Sequence, residues 1–207
     1  MRLVGIDPGA SALHYAVLDD TRRVVDGGVL PAGAMPELLE VAAGAGAVAI
    51  DAPAAPSTAP HAGDPSLPPK FRPARCCEIA LAHRYRLWVP WVAPVAGAAA
   101  DEWMRVGFRL FQELAAAGHA PIEVYPHAGF RLLAGRALPR KTTAAGRRER
   151  AVILAAERVA APSMDVWTHD ALDATMAALL ALRAGDGTAV PVGCGHDGSA
   201  IWVPRVD

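Results

Sequence analysis

The chain has 207 residues, of which 53% are hydrophobic and 20% are charged. This composition excludes a disordered chain, and the length suits one domain, residues 1–207, built around a buried core. The net charge is −1, from 20 basic and 21 acidic residues. This excludes a global positive field for gathering nucleic acid, so any polyanion is expected to bind a local patch.

The cysteines and the N-terminal sequence predict a cytoplasmic location. Of three cysteines, Cys76 and Cys77 are adjacent, which suits neither a mutual disulfide nor a zinc site and indicates a reducing compartment. The opening MRLVGID lacks the features of a signal peptide, and no apolar run approaches the length of a membrane span. We therefore expect no membrane partner.

The first quarter of the chain consists of short apolar runs separated by turns. Strands are predicted over residues 3–6, 13–18 and 22–30. A helix over residues 35–43 and a buried strand over 47–50 follow. The predicted order is therefore β-β-β-α-β.

The rest of the chain combines helices with two irregular segments. A proline-rich loop is predicted over residues 52–73, and a second irregular segment contains Trp88 and Trp91. The remaining predicted elements are helices over 74–86, 101–117, 144–159 and 170–182, a short strand over 121–125, and a C-terminal hairpin of strands 189–192 and 201–203. The two tryptophans are interpreted as plugs at the end of the core, with base stacking as the alternative.

Four aspartates are placed where one cluster can form. Asp7 follows the first predicted strand and Asp51 the fourth, so their carboxylates lie side by side if these strands are neighbours. Asp170 and Asp173 are three residues apart, on one face of an otherwise apolar helix. Converging carboxylates have raised pKa values unless a cation neutralises them, and Mg²⁺ or Mn²⁺ prefers oxygen ligands. The sequence therefore predicts a site for Mg²⁺ or Mn²⁺.

Such a site favours one reaction. Two ions about 4 Å apart can activate a water molecule and stabilise the leaving oxygen of a phosphodiester. We therefore predict a metal-dependent nuclease with a two-metal mechanism and the four aspartates as catalytic residues.

These motifs resemble known families. Segments ending at Asp7 (VGID) and Asp51 (VAID), and the segment HDALDA that starts at His169, are similar to the acidic motifs of the RuvC-type Holliday-junction resolvases. Residues 122–127 (IEVYPH) and 201–204 (IWVP), with the basic segment between them, resemble the domain-of-unknown-function family numbered 429. Its members are described as predicted nucleases of ribonuclease H-like fold.

The resemblance implies an α/β fold with a central mixed five-stranded sheet flanked by helices, and a nucleic-acid substrate, either DNA or RNA. RuvC-type enzymes usually carry glutamate where this chain has Asp51, so the metal geometry is expected to differ. They act as dimers, which makes a homodimer an expectation here. The 429 family also suggests Glu123 as a further ligand or general base. The alternative is a polar strand residue paired with arginine.

Three basic residues are candidates for binding phosphate. Lys141 and Arg147 are preferred within a basic segment that could equally be a solvated helix face. Arg75 is a weaker candidate, because an ion pair with Glu78 on the same helix also explains it. His169 is the histidine expected near the site.

Two other functions remain open. A noncatalytic nucleic-acid-binding or nucleotide-binding module that retains the acidic pocket would suit the neutral net charge. An actin-like, ATP-dependent phosphotransferase shares the strand order but needs a second glycine-rich phosphate loop. The candidate, residues 193–198, lies in the predicted hairpin without a following helix.

Overall fold

A five-stranded mixed sheet forms the centre of the molecule, in a computed structural model that describes residues 1–164 and 167–206. The strand order is β3-β2-β1-β4-β5. The strands are β1 (Arg2–Pro8), β2 (Ala12–Asp19), β3 (Val24–Pro31), β4 (Ala45–Ile50) and β5 (Ile122–Glu123). β1, β2 and β3 pair antiparallel in sequence order, whereas β4 is parallel to both β1 and β5.

Helices cover both faces of this sheet. They are α1 (Met35–Ala42), α2 (Cys76–Tyr85), α3 (Glu102–Ala116), α4 (Pro126–Ala134), α5 (Ala144–Ala156) and α6 (His169–Gly185). Successive residues of β1 point to opposite faces: Leu3 packs with α4, α5 and α6, whereas Val4 packs with α1 and α3. The predicted α/β architecture, a central mixed five-stranded sheet flanked by helices, is confirmed.

The predicted C-terminal hairpin is also confirmed. β6 (Ala189–Val192) and β7 (Ile201–Pro204) pair antiparallel as a separate two-stranded sheet. A single bridge between Val124 and Trp202 places this hairpin beside the end of β5. None of the helices within the described residues is long and apolar enough to cross a membrane.

One helix was not predicted. α4 follows β5 directly and has only nine residues, and the predicted strand over residues 121–125 is correspondingly shorter. Two signals for this helix are present in the sequence: Pro126 occupies the first helical turn, and Gly135 ends the helix in the left-handed conformation, with φ 64°. Gly129 allows close packing, because a Cβ there would lie 3.0 Å from the Met176 sulfur.

A disulfide corrects the prediction that the cysteines are reduced. Cys76, at the start of α2, is bonded to Cys194, in the loop between β6 and β7, whereas Cys77 is free and buried. The prediction considered only the adjacent pair, and the true partner lies 118 residues away in sequence. The same loop caps α2, since the Cys76 and Cys77 backbone amides donate to Asp197 and Ser199.

Candidate metal centre

Two carboxylates of the site lie at the ends of neighbouring parallel strands. Ile6 of β1 pairs with Ile50 at the end of β4, so the residues that follow them, Asp7 and Asp51, emerge at the same edge of the sheet. The Asp51 backbone amide also donates to the Ile6 carbonyl at 2.8 Å. This bond extends the strand pairing to the site and fixes the position of Asp51.

The third carboxylate, Asp173, lies on α6. This helix packs very closely against β1 because Gly5 has no side chain: a Cβ there would lie 2.0 Å from the Ala174 carbonyl oxygen. The close approach brings Asp173 to the end of β1. Gly5 therefore helps to build the site. Sequence reasoning missed this role, although Gly5 stands only two residues before Asp7.

Asp7, Asp51 and Asp173 form a compact cluster of oxygen ligands. One carboxylate oxygen of each lies within 4.8 Å of those of the other two. Burial raises the pKa of all three carboxyl groups. Repulsion between the carboxylates raises the pKa values of Asp7 and Asp51 further. Three hard oxygen donors whose ionised forms are destabilised in this way fit a divalent cation such as Mg²⁺ or Mn²⁺.

Lys141 partly neutralises the cluster. Its Nζ donates to Asp173 at 2.6 Å. Burial alone would lower the pKa of this ammonium, but the Asp173 carboxylate beside it raises the pKa above its usual value. A single ammonium among three carboxylates leaves net negative charge, so the cluster retains its attraction for a cation.

Asp170 lies beside this cluster rather than within it. It occupies the first turn of α6, and the N-cap is Thr168, whose side chain accepts from the Ala171 amide. The Asp170 carboxylate lies 2.6 Å from His169 Nδ1 and 3.7 Å from His14 Nε2. It is one of the charges that raise the pKa of Asp7. The structure thus brings the four predicted aspartates to one place, with Asp170 in an outer position.

Glu123 lies outside the cluster, in a buried ion pair. Arg75 donates to both of its carboxylate oxygens at 2.7 Å, and the Ala54 amide donates to one of them at 2.8 Å. Arg75 also donates to Glu78 and is 2% exposed. With its donors engaged by two carboxylates, Arg75 is not available to a phosphate. The geometry favours the structural alternative for both Glu123 and Arg75.

The basic residues around Lys141 have different roles. Arg147 donates to the Thr142 carbonyl and is not among the residues that line the cavity of the site. Arg150 is buried and donates to the carbonyls of Pro139 and Gly146, which holds the loop that carries Lys141. The basic segment predicted from the sequence extends to Arg150, and helical spacing alone did not show that this residue faces the core.

The carboxylates open onto a large cavity of about 990 Å³. Its lining includes Asp7, Asp51, Asp170, Asp173, His14, His127, Arg140, Lys141, Arg150, Trp88, Trp91, Trp103 and Tyr125. Acidic, basic and aromatic side chains therefore face one space, which is the chemistry expected of a site for a charged ligand with aromatic groups.

A second group of potential metal ligands, Cys76, Cys194 and Asp197, is also compact. The two sulfur atoms are bonded to each other, so they are not free thiolates. Of the two groups, the carboxylate cluster therefore fits a cation better.

The fold and the site together define an α/β protein with a five-stranded mixed sheet and an acidic cluster at the end of its central strands. The profile of the family described as "Protein of unknown function (DUF429)" matches residues 5–194. The chain belongs to this family, which confirms the resemblance seen in the sequence.

Two solved structures are similar to the chain. Thermus thermophilus RuvC has a TM-score of 0.49 and 18% sequence identity, over 91% of this chain and 98% of that chain. T. thermophilus RuvC in complex with Holliday junction substrate has a TM-score of 0.48 and 17% identity, over 91% and 97%. A search of curated proteins found no match to this chain.

Proposed function

We propose that the protein is a metal-dependent phosphodiesterase that hydrolyses nucleic acid, with Asp7, Asp51 and Asp173 as the metal ligands. The supporting observation is the compact cluster of three carboxylates with raised pKa values. The cluster faces a cavity that is also lined by Arg140 and Lys141. The negative charge that would bind a cation therefore lies next to the positive charge that would bind a phosphate.

The residues of the site divide the chemistry between them. Bound divalent cations would lower the pKa of a water molecule and stabilise the charge of the leaving oxygen. Asp170, next to Asp7 and partly exposed, would accept the proton of the attacking water. Lys141 neutralises Asp173 in the metal-free protein. If a cation were held by that carboxylate, the Lys141 ammonium would be free to bind a phosphate oxygen.

A noncatalytic nucleic-acid-binding module is the second candidate. The contact between Lys141 and Asp173 supports it, since the ammonium stabilises the acidic pocket without metal. The actin-like alternative is less well supported. Its candidate phosphate loop, residues 193–198, contains the disulfide-bonded Cys194 and leads into β7 rather than into a helix.

Metal-dependent cleavage tests the proposal directly. Wild-type protein with Mg²⁺ or Mn²⁺ is expected to cleave at least one of a panel of single-stranded, duplex and branched DNA and RNA substrates. EDTA should abolish the activity. Asp51→Asn replaces a negatively charged metal ligand with a neutral amide. This change is expected to lower the rate of cleavage by at least ~100-fold.

The matched control is Glu37→Gln, which removes an exposed carboxylate on α1 and should cleave like the wild type. Equal rates for wild type and Asp51→Asn, or full activity in EDTA, would contradict the proposal. Metal binding without cleavage of any substrate would favour the noncatalytic module.

A further inference from the structure

We infer that the substrate is a single-stranded nucleic acid, one base of which stacks on the indole ring of Trp88 in the cavity of the carboxylate cluster. The inference rests on the proposed function and adds the form of the substrate.

The backbone after α2 presents Trp88 to solvent. Leu87 and Val89 are 5% and 4% exposed and pack in the core cluster beneath the C-terminal hairpin, whereas Trp88 between them is 44% exposed. Successive side chains of an extended segment point to opposite sides. Burial of the two aliphatic neighbours therefore directs Trp88 outward, towards the cavity that it lines.

The Trp88 ring is supported from below by another aromatic ring. Phe71 stacks on it with ring centroids 4.3 Å apart and an interplanar angle of 29°. Phe71 itself packs against a small buried cluster that contains Leu67 and Ile79. Because one face of the indole is covered and the residue is still 44% exposed, Trp88 offers a free surface on which a base can stack.

Trp91 and Trp88 have different surroundings, and those of Trp88 are better suited to a stacked base. Trp91 makes edge-to-face contacts with Trp103 at 5.3 Å and Tyr125 at 6.2 Å, and it packs against the core. It fits the core-plug interpretation made from the sequence. Trp88 fits the alternative, base stacking, because its environment leaves a flat apolar surface open to the cavity.

The charges around the cavity favour binding of a short stretch of phosphates over binding of a long duplex. Of the two lysines of the chain, Lys141 lines the cavity, together with Arg140. Lys70 lies over the Phe71 ring and does not line the cavity. Over the whole chain the charges nearly cancel, with a net charge of −1. Proteins that grip a long duplex commonly neutralise about 6–10 phosphates, and this cavity offers few free cations for that purpose.

The size of the cavity also favours a single strand over a duplex. Its volume of about 990 Å³ lies at the upper end of the ~300–1,000 Å³ that is typical of small-ligand sites. Such a space suits a few nucleotides rather than a double helix. The bases of a duplex are stacked on each other, so a base becomes available to Trp88 only when it is unpaired.

Binding measurements test this inference. The probe is a fluorescently labelled oligodeoxythymidine, compared with a duplex of the same length and with an abasic strand, in Ca²⁺ as an oxygen-liganded substitute for Mg²⁺. We expect the strand to bind more tightly than the duplex and the abasic strand. Trp88→Ala should weaken binding of the strand by about 5- to 100-fold, the range for loss of one stacked base.

Two variants serve as controls. Trp88→Phe keeps an aromatic face and should retain most of the affinity, and Val29→Ala changes an exposed apolar residue on β3 and should bind like the wild type. Absence of strand binding, equal affinity for strand and duplex, or wild-type affinity in Trp88→Ala would overturn the inference. None of these results tests metal-dependent cleavage, and a failure of metal dependence would instead overturn the proposed function.

Discussion

Asp7, Asp51 and Asp173 oppose the stability of the metal-free fold. Burial and mutual repulsion raise the pKa of Asp7 and Asp51, so the folded protein holds protons that the unfolded chain releases above its ordinary pKa of about 3.9. The stability from this protonation is complete below that value and is lost as the pH rises through the folded-state pKa. At neutral pH, the ionised carboxylates therefore destabilise the metal-free protein.

Because the ionised carboxylates destabilise the fold, we predict that Asp51→Asn stabilises the metal-free protein. In EDTA at neutral pH, the variant should have a higher Tm than the wild type, because an amide carries no charge to be repelled. The difference should shrink as the pH is lowered towards 4, where the wild-type carboxyls are protonated. Thermal unfolding followed by circular dichroism measures both. A lower Tm for Asp51→Asn in EDTA would show that the carboxylate is stabilised by contacts other than metal.

His127 has the opposite dependence on pH. Its burial, together with the nearby Arg150 guanidinium, lowers the pKa to about 4. The unfolded imidazole, with a pKa of about 6.5, then takes up a proton between pH 6.5 and pH 4 that the folded one does not. This contribution therefore destabilises the fold as the pH falls through that window.

We predict that His127→Gln removes this acid sensitivity. Between about pH 7 and pH 4.5, the wild type should lose ~1–3 kcal/mol of unfolding free energy through His127, discounted because the ring is partly exposed. The variant should lack that loss. Urea denaturation at both pH values gives the comparison. Parallel pH profiles for wild type and variant would contradict the assignment.

The disulfide is the strongest link between α2 and the C-terminal hairpin. Cys76 and Cys194 close a loop of 118 residues, and a loop of that length restricts the unfolded chain considerably. Loop entropy of this kind contributes about 2–5 kcal/mol. We predict that a thiol reductant lowers the unfolding free energy of the wild type by this amount in urea denaturation.

Cys194→Ser supplies the control for reduction. The variant should be less stable than the oxidised wild type and insensitive to the reductant, since its remaining thiols have no partner to release. A reductant that leaves wild-type stability unchanged would contradict the bond. Alkylation of thiols in intact cells would also test the predicted cytoplasmic location, because disulfides rarely persist in reducing compartments.

The Arg75–Glu123 pair joins α2 to β5 and to the segment after Asp51. Breaking a buried ion pair costs about 3–5 kcal/mol, since the remaining charge stays buried. Glu123→Gln is therefore expected to lower the unfolding free energy by about 3 kcal/mol and to leave the affinity for Mn²⁺ unchanged. Urea denaturation and calorimetry below the unfolding transition measure the two effects. Loss of Mn²⁺ binding in the folded variant would instead make Glu123 a metal ligand.

Much of the element order could be predicted from the sequence, and the exceptions have physical reasons. Apolar runs ending at Asp7 and Asp51 indicated buried strands, and parallel pairing of those strands brought the two aspartates together. α4 was missed because its signals, Pro126 and Gly135, are single residues in a short segment. The disulfide and the burial of Glu123 depend on contacts between distant parts of the chain, which local patterns do not contain.

At the scale of the whole molecule, charge is concentrated rather than spread. The net charge is −1, yet one cavity combines an acidic cluster with Lys141, Arg140 and an aromatic surface. A protein built in this way relies on a local site, since it has no long-range positive field to gather a polyanion. The proposed activity therefore depends on whether the carboxylate cluster binds metal.

Calorimetric titration with Mn²⁺ tests that claim most directly. Wild type and the Glu37→Gln control are expected to give saturable heats of binding, and the double variant Asp7→Asn with Asp51→Asn is expected to give none. Circular dichroism should confirm that the double variant is folded. Absence of binding in the wild type, or equal binding in the folded double variant, would contradict the assignment of the cluster as a metal centre.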